Sequence, residues 1–161
     1  MDFKVADLCD EFGEKAKVFK PIFFDFGGKT ACCGEAATVK CFEDNSRIKE
    51  LSMQPGLGRV LVIDAGGSDR CALVGDMIAA DLCANGWAGV IIYGYIRDKA
   101  ELAQLPIMIK ALGAMPRRSN KRGEGLIGEP VEFANQRILH GDKIYSDEDG
   151  IIILNESVNS N

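Results

Sequence analysis

The alternation of hydrophobic and polar positions predicts helices and strands that follow one another along most of the chain. Helices are predicted over residues 5–14, 44–53 and 72–86, with a further helix from just beyond Asp98 to about residue 105. Short apolar runs rich in β-branched residues predict strands over residues 36–42, 59–63, 88–93 and 107–112. From about Val131 onward, short strands separated by turns are predicted. The pattern therefore indicates an α/β fold with a mostly β end.

One predicted helix and the strand after it bring three charged residues together. Asp76 lies in the helix that stops at Gly86, and Arg97 and Asp98 follow the next strand, after twenty intervening residues. A helix of about eleven residues advances roughly 16 Å and a strand of five or six residues returns roughly 16 to 20 Å, so the two paths nearly cancel. Helix N-termini and the carboxyl ends of parallel strands share the edge where α/β proteins bind ligands. We expect the three charges to lie at that edge.

These residues suit metal-assisted chemistry on a small keto acid. The amide groups at the start of the helix can receive a substrate carboxylate, aided by the helix dipole, and they belong to Gly75, Asp76, Met77 and Ile78. Arg97 offers a planar fork to a carboxylate or a developing enolate oxygen. Asp98 offers an oxygen ligand to a divalent cation such as magnesium, which often takes only one or two protein carboxylates. Asp76 could then hold a water molecule of the cation's hydration shell.

Two alternatives compete with this interpretation. Arg97 and Asp98 could form a surface ion pair, with Asp76 an acid that merely favours the start of a helix. A lysine Schiff base is the other general way to stabilise the negative charge. No lysine lies within residues 76–98, and Lys99 just beyond would need unusual desolvation to serve. We therefore favour the metal route over the Schiff base.

Several longer motifs resemble one known family in their order and spacing. They are DLCDEF, FDFGGK, GEAATVKCFEDNSRIKE, GRVLVIDAGGSDRCALVGDMIA, NGWAGVIIYGYIRD and IYSDEDGIIIL. Together they resemble the regulator of ribonuclease E activity A (RraA-like) family, which is related to the class II 4-hydroxy-4-methyl-2-oxoglutarate/4-carboxy-4-hydroxy-2-oxoadipate aldolases. In the aldolase branch an acid, twenty residues and Arg-Asp form the active-site signature. This chain keeps that signature at Asp76 and at Arg97 and Asp98.

The resemblance implies both a fold and a reaction. The implied fold is a swivelling β/β/α domain, a single RraA-like domain over residues 1–161, assembled as a homotrimer. The implied reaction is a retro-aldol cleavage that depends on a divalent cation, magnesium or manganese, and releases pyruvate, with oxaloacetate decarboxylation through the same pyruvate enolate. The family's substrate-binding loop falls on residues 75–78, its substrate arginine on Arg97 and its metal-binding aspartate on Asp98. The alternative function is a protein that binds and inhibits a ribonuclease.

Composition narrows the classes of function. The 161 residues are 47% hydrophobic, enough for one ordinary core, and the formal charge of -5 gives no broad attraction to phosphate backbones. We therefore expect no direct binding of nucleic acid, and any ribonuclease partner would be met through protein contacts. No apolar run approaches the length of a membrane span, and the first residues are too acidic for a secretory signal. We expect a cytoplasmic protein.

Other polar clusters receive structural interpretations. The six cysteines contain no C-x-x-C pair and His140 is the one histidine, so we predict small buried thiols rather than a zinc site, with Cys32 and Cys33 redox-sensitive only if exposed. The basic run over residues 117–122 could dock an acidic partner, but such runs are usually solvated loops. We assign no site residue to that run.

Overall fold

A curled mixed β-sheet forms the centre of the computed structural model, which describes residues 2–158. The strands are β1 (Lys17–Val18), β2 (Phe24–Asp25), β3 (Cys32–Lys40), β4 (Val60–Asp64), β5 (Ala72–Val74), β6 (Gly89–Ile96), β7 (Met108–Ala114), β8 (Leu126–Ile127), β9 (Val131–Phe133), β10 (Gln136–Ile138), β11 (Lys143–Asp147) and β12 (Gly150–Ile153). The helices are α1 (Val5–Phe12), α2 (Ser46–Ser52), α3 (Asp76–Ala84) and α4 (Lys99–Leu102), with a short 3-10 turn at Gly13–Lys15.

The long strand β3 joins the parallel and antiparallel parts of the sheet. In the described residues the main path runs β1-β12-β11-β3-β4-β6-β7-β2, with β5 added beside β6 and β8 beside β3. The first half of β3 pairs antiparallel with β11, and its second half pairs parallel with β4. From β3 to β7 the path is parallel, because each connection crosses over through a helix. Strand β5 also pairs parallel with β6, with Val74 opposite Ile96, so the carboxyl ends of these two strands meet at one edge.

The central strands are buried on both faces, which explains their unbroken apolar runs. In β4, Leu61 and Ile63 face a core cluster that includes residues of α2, α3 and α4. Val60 and Val62 face the opposite cluster, closed by residues of β9 and β10. A strand covered on both sides needs apolar side chains at every position rather than at alternate ones. A third cluster packs α1 against β11 and β12.

The predicted α/β fold is confirmed, with one error next to the candidate site. Residues 72–74, predicted as the start of a helix, form strand β5, which pairs with the end of β6. Gly75 then takes an extended conformation and α3 begins only at Asp76. The apolar triplet Ala-Leu-Val is compatible with both helical and strand periodicity when it is considered alone. Pairing with the neighbouring strand decides for β structure. The short strands β1, β2 and β8 were likewise not predicted, since two residues carry no readable period.

The prediction of buried thiols is fully met at only two of the six cysteines. Cys41 and Cys71 are buried, and the other four cysteines are half-buried. Burial raises the pKa of both Cys32 and Cys41 to about 12, which keeps these two side chains in the unreactive thiol form. The Nδ1 atom of His140 accepts a hydrogen bond of 3.2 Å from the backbone N–H of Thr38. In the described part of the chain, no helix is long and apolar enough to cross a membrane.

Candidate active site

The structure brings the predicted site residues together at the shared end of β5 and β6. The backbone N–H of Arg97 donates to the carbonyl oxygen of Val74 at 3.0 Å, which ties the two strand ends together. The backbone N–H of Asp76, the first residue of α3, donates to Oδ2 of Asp98 at 2.9 Å. Nε of Arg97 lies 3.9 Å from the same oxygen. Asp76, Arg97 and Asp98 therefore form one polar cluster across 22 residues of sequence.

The carboxylate of Asp98 lies at the N-terminus of α3, in space that a side chain at position 75 would fill. A Cβ atom built on Gly75 would lie 2.7 Å from Oδ2 of Asp98, closer than real Cβ atoms approach other atoms. Asp98 itself has left-handed backbone angles, with φ of 59° and ψ of 43°, a conformation that aspartate and asparagine tolerate better than most residues. The carboxylate thus lies over Gly75 and caps the helix.

The bond between Asp98 and Asp76 changes one detail of the predicted binding of a substrate carboxylate by the amides at the start of α3. The amide of Asp76 is already used by Asp98, so it is not free for a substrate carboxylate. The amides of Met77 and Ile78 lie in the first turn of α3 and have no partner within the helix. An incoming carboxylate would therefore meet the amides of Met77 and Ile78, while Asp98 stays on the amide of Asp76.

A cleft of about 230 Å³ opens beside this cluster and carries charges of both signs. Its lining residues are Asn45, Lys49, Ala72, Leu73, Gly75, Asp76, Met77, Ile78, Asp81, Arg97, Asp98, Arg118 and Lys121. Four of these side chains are cationic and three are carboxylates. Arg97 and Asp98 are about one-third exposed, at 39% and 31% of their side-chain areas, so a ligand can reach both. The cleft offers cationic partners to an anionic ligand and oxygen ligands to a cation.

Five polar residues that line the cleft were not predicted as site residues from the sequence. Arg118 and Lys121 belong to the basic run that was interpreted as a solvated loop, and the structure places both on the cleft. A hydrogen bond of 2.7 Å from the N–H of Ala72 to the carbonyl oxygen of Arg117 holds the start of that run beside β5. The basic run itself was the available signal. Asn45, Lys49 and Asp81 had no comparable signal, because isolated polar residues on and around helices are common.

Asn45 is a buried residue of the cleft with an unsatisfied side-chain oxygen. Its Nδ2 donates to the carbonyl oxygen of Leu73 at 3.2 Å, while its Oδ1 has no hydrogen-bond partner in residues 2–158. Only 8% of the residue is exposed. A buried acceptor without a partner costs about 1 to 3 kcal/mol, and such groups in folded proteins call for an explanation. The buried acceptor lies in the wall of the candidate active site.

The side chains in the cleft fit a hard divalent cation that keeps most of its own water. No group of three or more His, Cys, Asp or Glu side chains in the described residues is placed to hold a metal ion together. Zinc, which usually takes three or four such ligands, is a poor match. Magnesium and manganese accept carboxylate oxygens, and magnesium is commonly bound through one or two of them. Asp98, held at a fixed position on the start of α3, meets that requirement.

The fold and this cleft define an α/β protein of the swivelling β/β/α class with an acidic and basic site at the shared ends of two parallel strands. Residues 5–153 match the model of the RraA-like family, described as Aldolase/RraA, and the chain belongs to that family. The resemblance in the motifs is therefore confirmed.

Similar proteins carry several different names. A protein of Alkalilimnicola ehrlichii named "Putative 4-hydroxy-4-methyl-2-oxoglutarate aldolase" is 49% identical over 158 residues, 98% of each chain. One of Laribacter hongkongensis with the same name is 49% identical over 94% of this chain and 96% of its own. Among solved structures, the RNA-processing inhibitor RraA from Thermus thermophilis has a TM-score of 0.94 at 36% identity, covering 99% of this chain and 97% of its own.

A further solved structure shows that the fold alone does not assign a reaction. It is named as an S-adenosylmethionine:2-dimethylmenaquinone methyltransferase from Geobacillus kaustophilus, with a TM-score of 0.94 and 42% identity over 97% of both chains. An aldolase, an inhibitor of RNA processing and a methyltransferase are thus named on closely similar chains. The function of this chain must be argued from its cleft.

Proposed function

We propose that the chain is a lyase that cleaves 4-hydroxy-4-methyl-2-oxoglutarate to pyruvate with the help of a bound magnesium or manganese ion, and that it also decarboxylates oxaloacetate. The observation that carries the proposal is the cluster of Arg97, Asp98 and the first turn of α3 within one cleft. The names of relatives about half identical over nearly the whole chain support the aldolase activity.

The cleft offers partners to both ends of a dicarboxylic keto acid. At the reacting end, the amides of Met77 and Ile78 receive the carboxylate next to the keto group, and the guanidinium of Arg97 faces the keto oxygen. At the other end, Arg118 and Lys121 supply positive charge to the second carboxylate. In this division of roles, the four cations and three carboxylates of the cleft serve different parts of the substrate and its bound cation.

The chemical demand is to stabilise negative charge on the keto oxygen while a carbon-carbon bond breaks. The electron pair of the bond between C3 and C4 passes into the keto group and gives the pyruvate enolate. The hydroxyl on C4 loses its proton and becomes the carbonyl of the second product. The enolate then takes up a proton at C3, so one substrate yields two molecules of pyruvate. In oxaloacetate the leaving group is carbon dioxide, and the same enolate remains.

Arg97 and the two aspartates divide this work. Arg97 stabilises the charge that develops on the keto oxygen, a contribution that grows as the bond breaks. A divalent cation at Asp98 would supply Lewis-acid chemistry at the same oxygen. Asp76 carries an exposed carboxylate on the first residue of α3, within the cleft and beside Asp98, and there it accepts and returns the proton of the substrate hydroxyl through water. Arg97, Asp76 and Asp98 are thus assigned the catalytic and metal-binding roles.

The test is pyruvate release from both substrates, with magnesium or manganese and with a chelator. Asp98→Asn is the sharpest variant, because asparagine tolerates the left-handed backbone and its Oδ1 can still accept from the amide of Asp76. We expect this variant to fold and to lose turnover. Arg97→Ala should also lose turnover. Arg137→Ala removes an exposed arginine paired with Glu132 at 3.7 Å, outside the cleft, and serves as the matched control. Metal-independent release, or full activity of Asp98→Asn, would refute the proposal.

A second candidate function is the binding and inhibition of a ribonuclease, favoured by the 36% identity to the RNA-processing inhibitor RraA. We propose that such binding would use the protein surface and would survive the substitution Asp98→Asn. A pull-down with a purified RNA-degrading ribonuclease, using wild type and Asp98→Asn, separates the two functions. Binding lost in parallel with turnover would contradict an independent regulatory surface. The homotrimer implied by the resemblance is tested in the same preparations by light scattering after size-exclusion chromatography.

A third possibility is that the cleft binds a small keto acid without turning it over. The assay for pyruvate release, combined with calorimetric titration of pyruvate, distinguishes this case from the aldolase. Binding that depends on Arg97, without product from either substrate, is its signature.

A further inference from the structure

The basic loop, defined as residues 117–122, is held against the cleft by its backbone. Its start is fixed by the bond from the N–H of Ala72 to the carbonyl oxygen of Arg117. Its middle is fixed by two bonds at Asn120, whose carbonyl oxygen accepts from the N–H of Asn45 at 3.2 Å and whose N–H donates to the carbonyl oxygen of Glu43 at 3.0 Å. The backbone of this loop is therefore tied down on both sides of Arg118.

Asp44 fixes the end of the loop with a buried carboxylate. Only 1% of Asp44 is exposed, and its Oδ2 accepts from the backbone N–H of Arg122 at 2.6 Å. Its Oδ1 accepts from the backbone N–H of Ser46 at 2.9 Å, and the hydroxyl of Ser46 accepts from the N–H of Gly123 at 2.9 Å. Burial alone would raise the pKa of Asp44, but hydrogen bonds from Ser46, Arg122 and Glu124 lower it below its usual value. Asp44 is therefore a buried carboxylate anion that is stabilised by backbone N–H groups of the same segment whose position it fixes.

Arg47, in the first turn of α2, completes this attachment. Its guanidinium donates to the carbonyl oxygens of Gly123 and Gly125. Asp44 thus holds backbone N–H groups and Arg47 holds backbone carbonyl groups of the same stretch. The N-terminal part of α2 is the anchor for the segment that follows the basic loop.

The two cleft residues of the basic loop are held through the loop backbone, which forms a β-bridge between Arg118 and Ala72. Arg118 and Lys121 are exposed, and neither forms an ion pair within residues 2–158. Their positions at the cleft follow only from where the loop backbone runs. We propose that Asp44 is a positioning residue that sets affinity for the second carboxylate of the substrate by fixing the basic loop, an inference that rests on the proposed function. Asp44 does not line the cleft itself.

The test substitutes Asp44→Asn, which keeps the size of the side chain but turns one acceptor into a donor facing the loop amides. We expect the KM for oxaloacetate and for 4-hydroxy-4-methyl-2-oxoglutarate to rise about tenfold, which corresponds to about 1.4 kcal/mol, with kcat within about threefold of wild type. Inhibition by pyruvate, which has one carboxylate and occupies only the reacting end, should keep its wild-type constant. A general loss of structure would weaken both ends alike.

The matched control is Asp147→Asn. Asp147 is also a buried aspartate, 6% exposed, and it likewise holds backbone N–H groups, those of Val5 and Asp149, but away from the cleft. Its substitution should lower stability without changing the ratio of KM for the dicarboxylate to the inhibition constant of pyruvate. A ratio in Asp44→Asn equal to that in Asp147→Asn would overturn the positioning role and leave the proposed function standing.

A second measurement separates failure of this inference from failure of the proposed function. Hydrogen exchange of the amides in residues 118–125 requires no activity, and we expect it to be faster in Asp44→Asn than in both wild type and Asp147→Asn. Absence of pyruvate release from the wild type would refute the proposed function, and hydrogen exchange would then decide whether Asp44 holds the loop. Unchanged exchange overturns the inference in either case.

Discussion

Gly75→Ala should separate the activity of this protein from its stability. The added Cβ would lie 2.7 Å from Oδ2 of Asp98, whereas ordinary contact begins at 3.4 Å, so the carboxylate must move by about 0.7 Å. Arg97 is less affected, because its Cγ and Nε atoms already lie at 3.4 Å from that Cβ position. The predicted perturbation is a displacement of Asp98 from the start of α3.

The effect on stability should be small because two contributions offset each other. Losing the bond between Asp98 and the amide of Asp76 removes a helix cap, worth about 1 kcal/mol. Replacing glycine by alanine at an extended position, φ of -123° and ψ of -166°, restricts the unfolded chain and returns about 0.4 to 1 kcal/mol. The melting temperature should therefore change by no more than about 4 °C.

The effect on turnover should be large. A misplacement of about 1 Å can lower a rate on the order of 100-fold, so a shift of about 0.7 Å at Asp98, the proposed metal-binding carboxylate, should lower kcat/KM at least about tenfold. Pyruvate release and thermal unfolding are measured on the same preparation. In the background of Asp98→Ala, the change Gly75→Ala should have little further effect on turnover, because its target is already gone. Wild-type kcat/KM in Gly75→Ala would refute the idea that the position of Asp98 controls the chemistry.

Three further predictions follow from burial and charge. Leu82→Ala, at a fully buried position of α3, should lower the free energy of unfolding in denaturant by about 2 to 5 kcal/mol; a loss below 1 kcal/mol would contradict tight packing there. The pKa of Asp44 is depressed in the fold, so its stabilising contribution is complete above the unfolded pKa of about 4 and is lost as the pH falls through the folded value. The free energy of unfolding should accordingly fall less steeply with decreasing pH in Asp44→Asn than in wild type. An identical fall in the two proteins would exclude this contribution of Asp44. Cys41, with a pKa raised to about 12 by burial, should react with iodoacetamide only after unfolding, as mass spectrometry would show; rapid native alkylation would contradict its burial.

The candidate site was predictable where it depended on local periodicity. A helix that ends near Gly86 and a strand buried on both faces are each visible in the chain, and their lengths alone return Arg97 and Asp98 to the start of the helix. The structure places Asp98 on the amide of Asp76, as that argument requires. The roles of these residues in catalysis and metal binding remain predictions.

The parts that were missed depend on contacts distant in sequence. The loop that carries Arg118 and Lys121 reads as solvated because nothing beside it in sequence holds it in place. Its attachment to the cleft comes from Asp44 and Asn45, more than 70 residues earlier, and from Ala72. The strand β5 was missed for the same reason, since its three residues are extended only because β6 lies beside them.

The sequence by itself determined the α/β class, the family and the convergence of an acid with an Arg-Asp pair. Periodicity and motif spacing are properties of residues close in sequence, so they can be recognised without knowledge of the fold. Only the tertiary structure decided that Asp98 caps α3 over Gly75, which amides of that helix remain available, and which cations face the cleft. Those features arise when backbone N–H groups and buried carboxylates from distant segments must satisfy one another out of water, and that requirement appears only once the chain is folded.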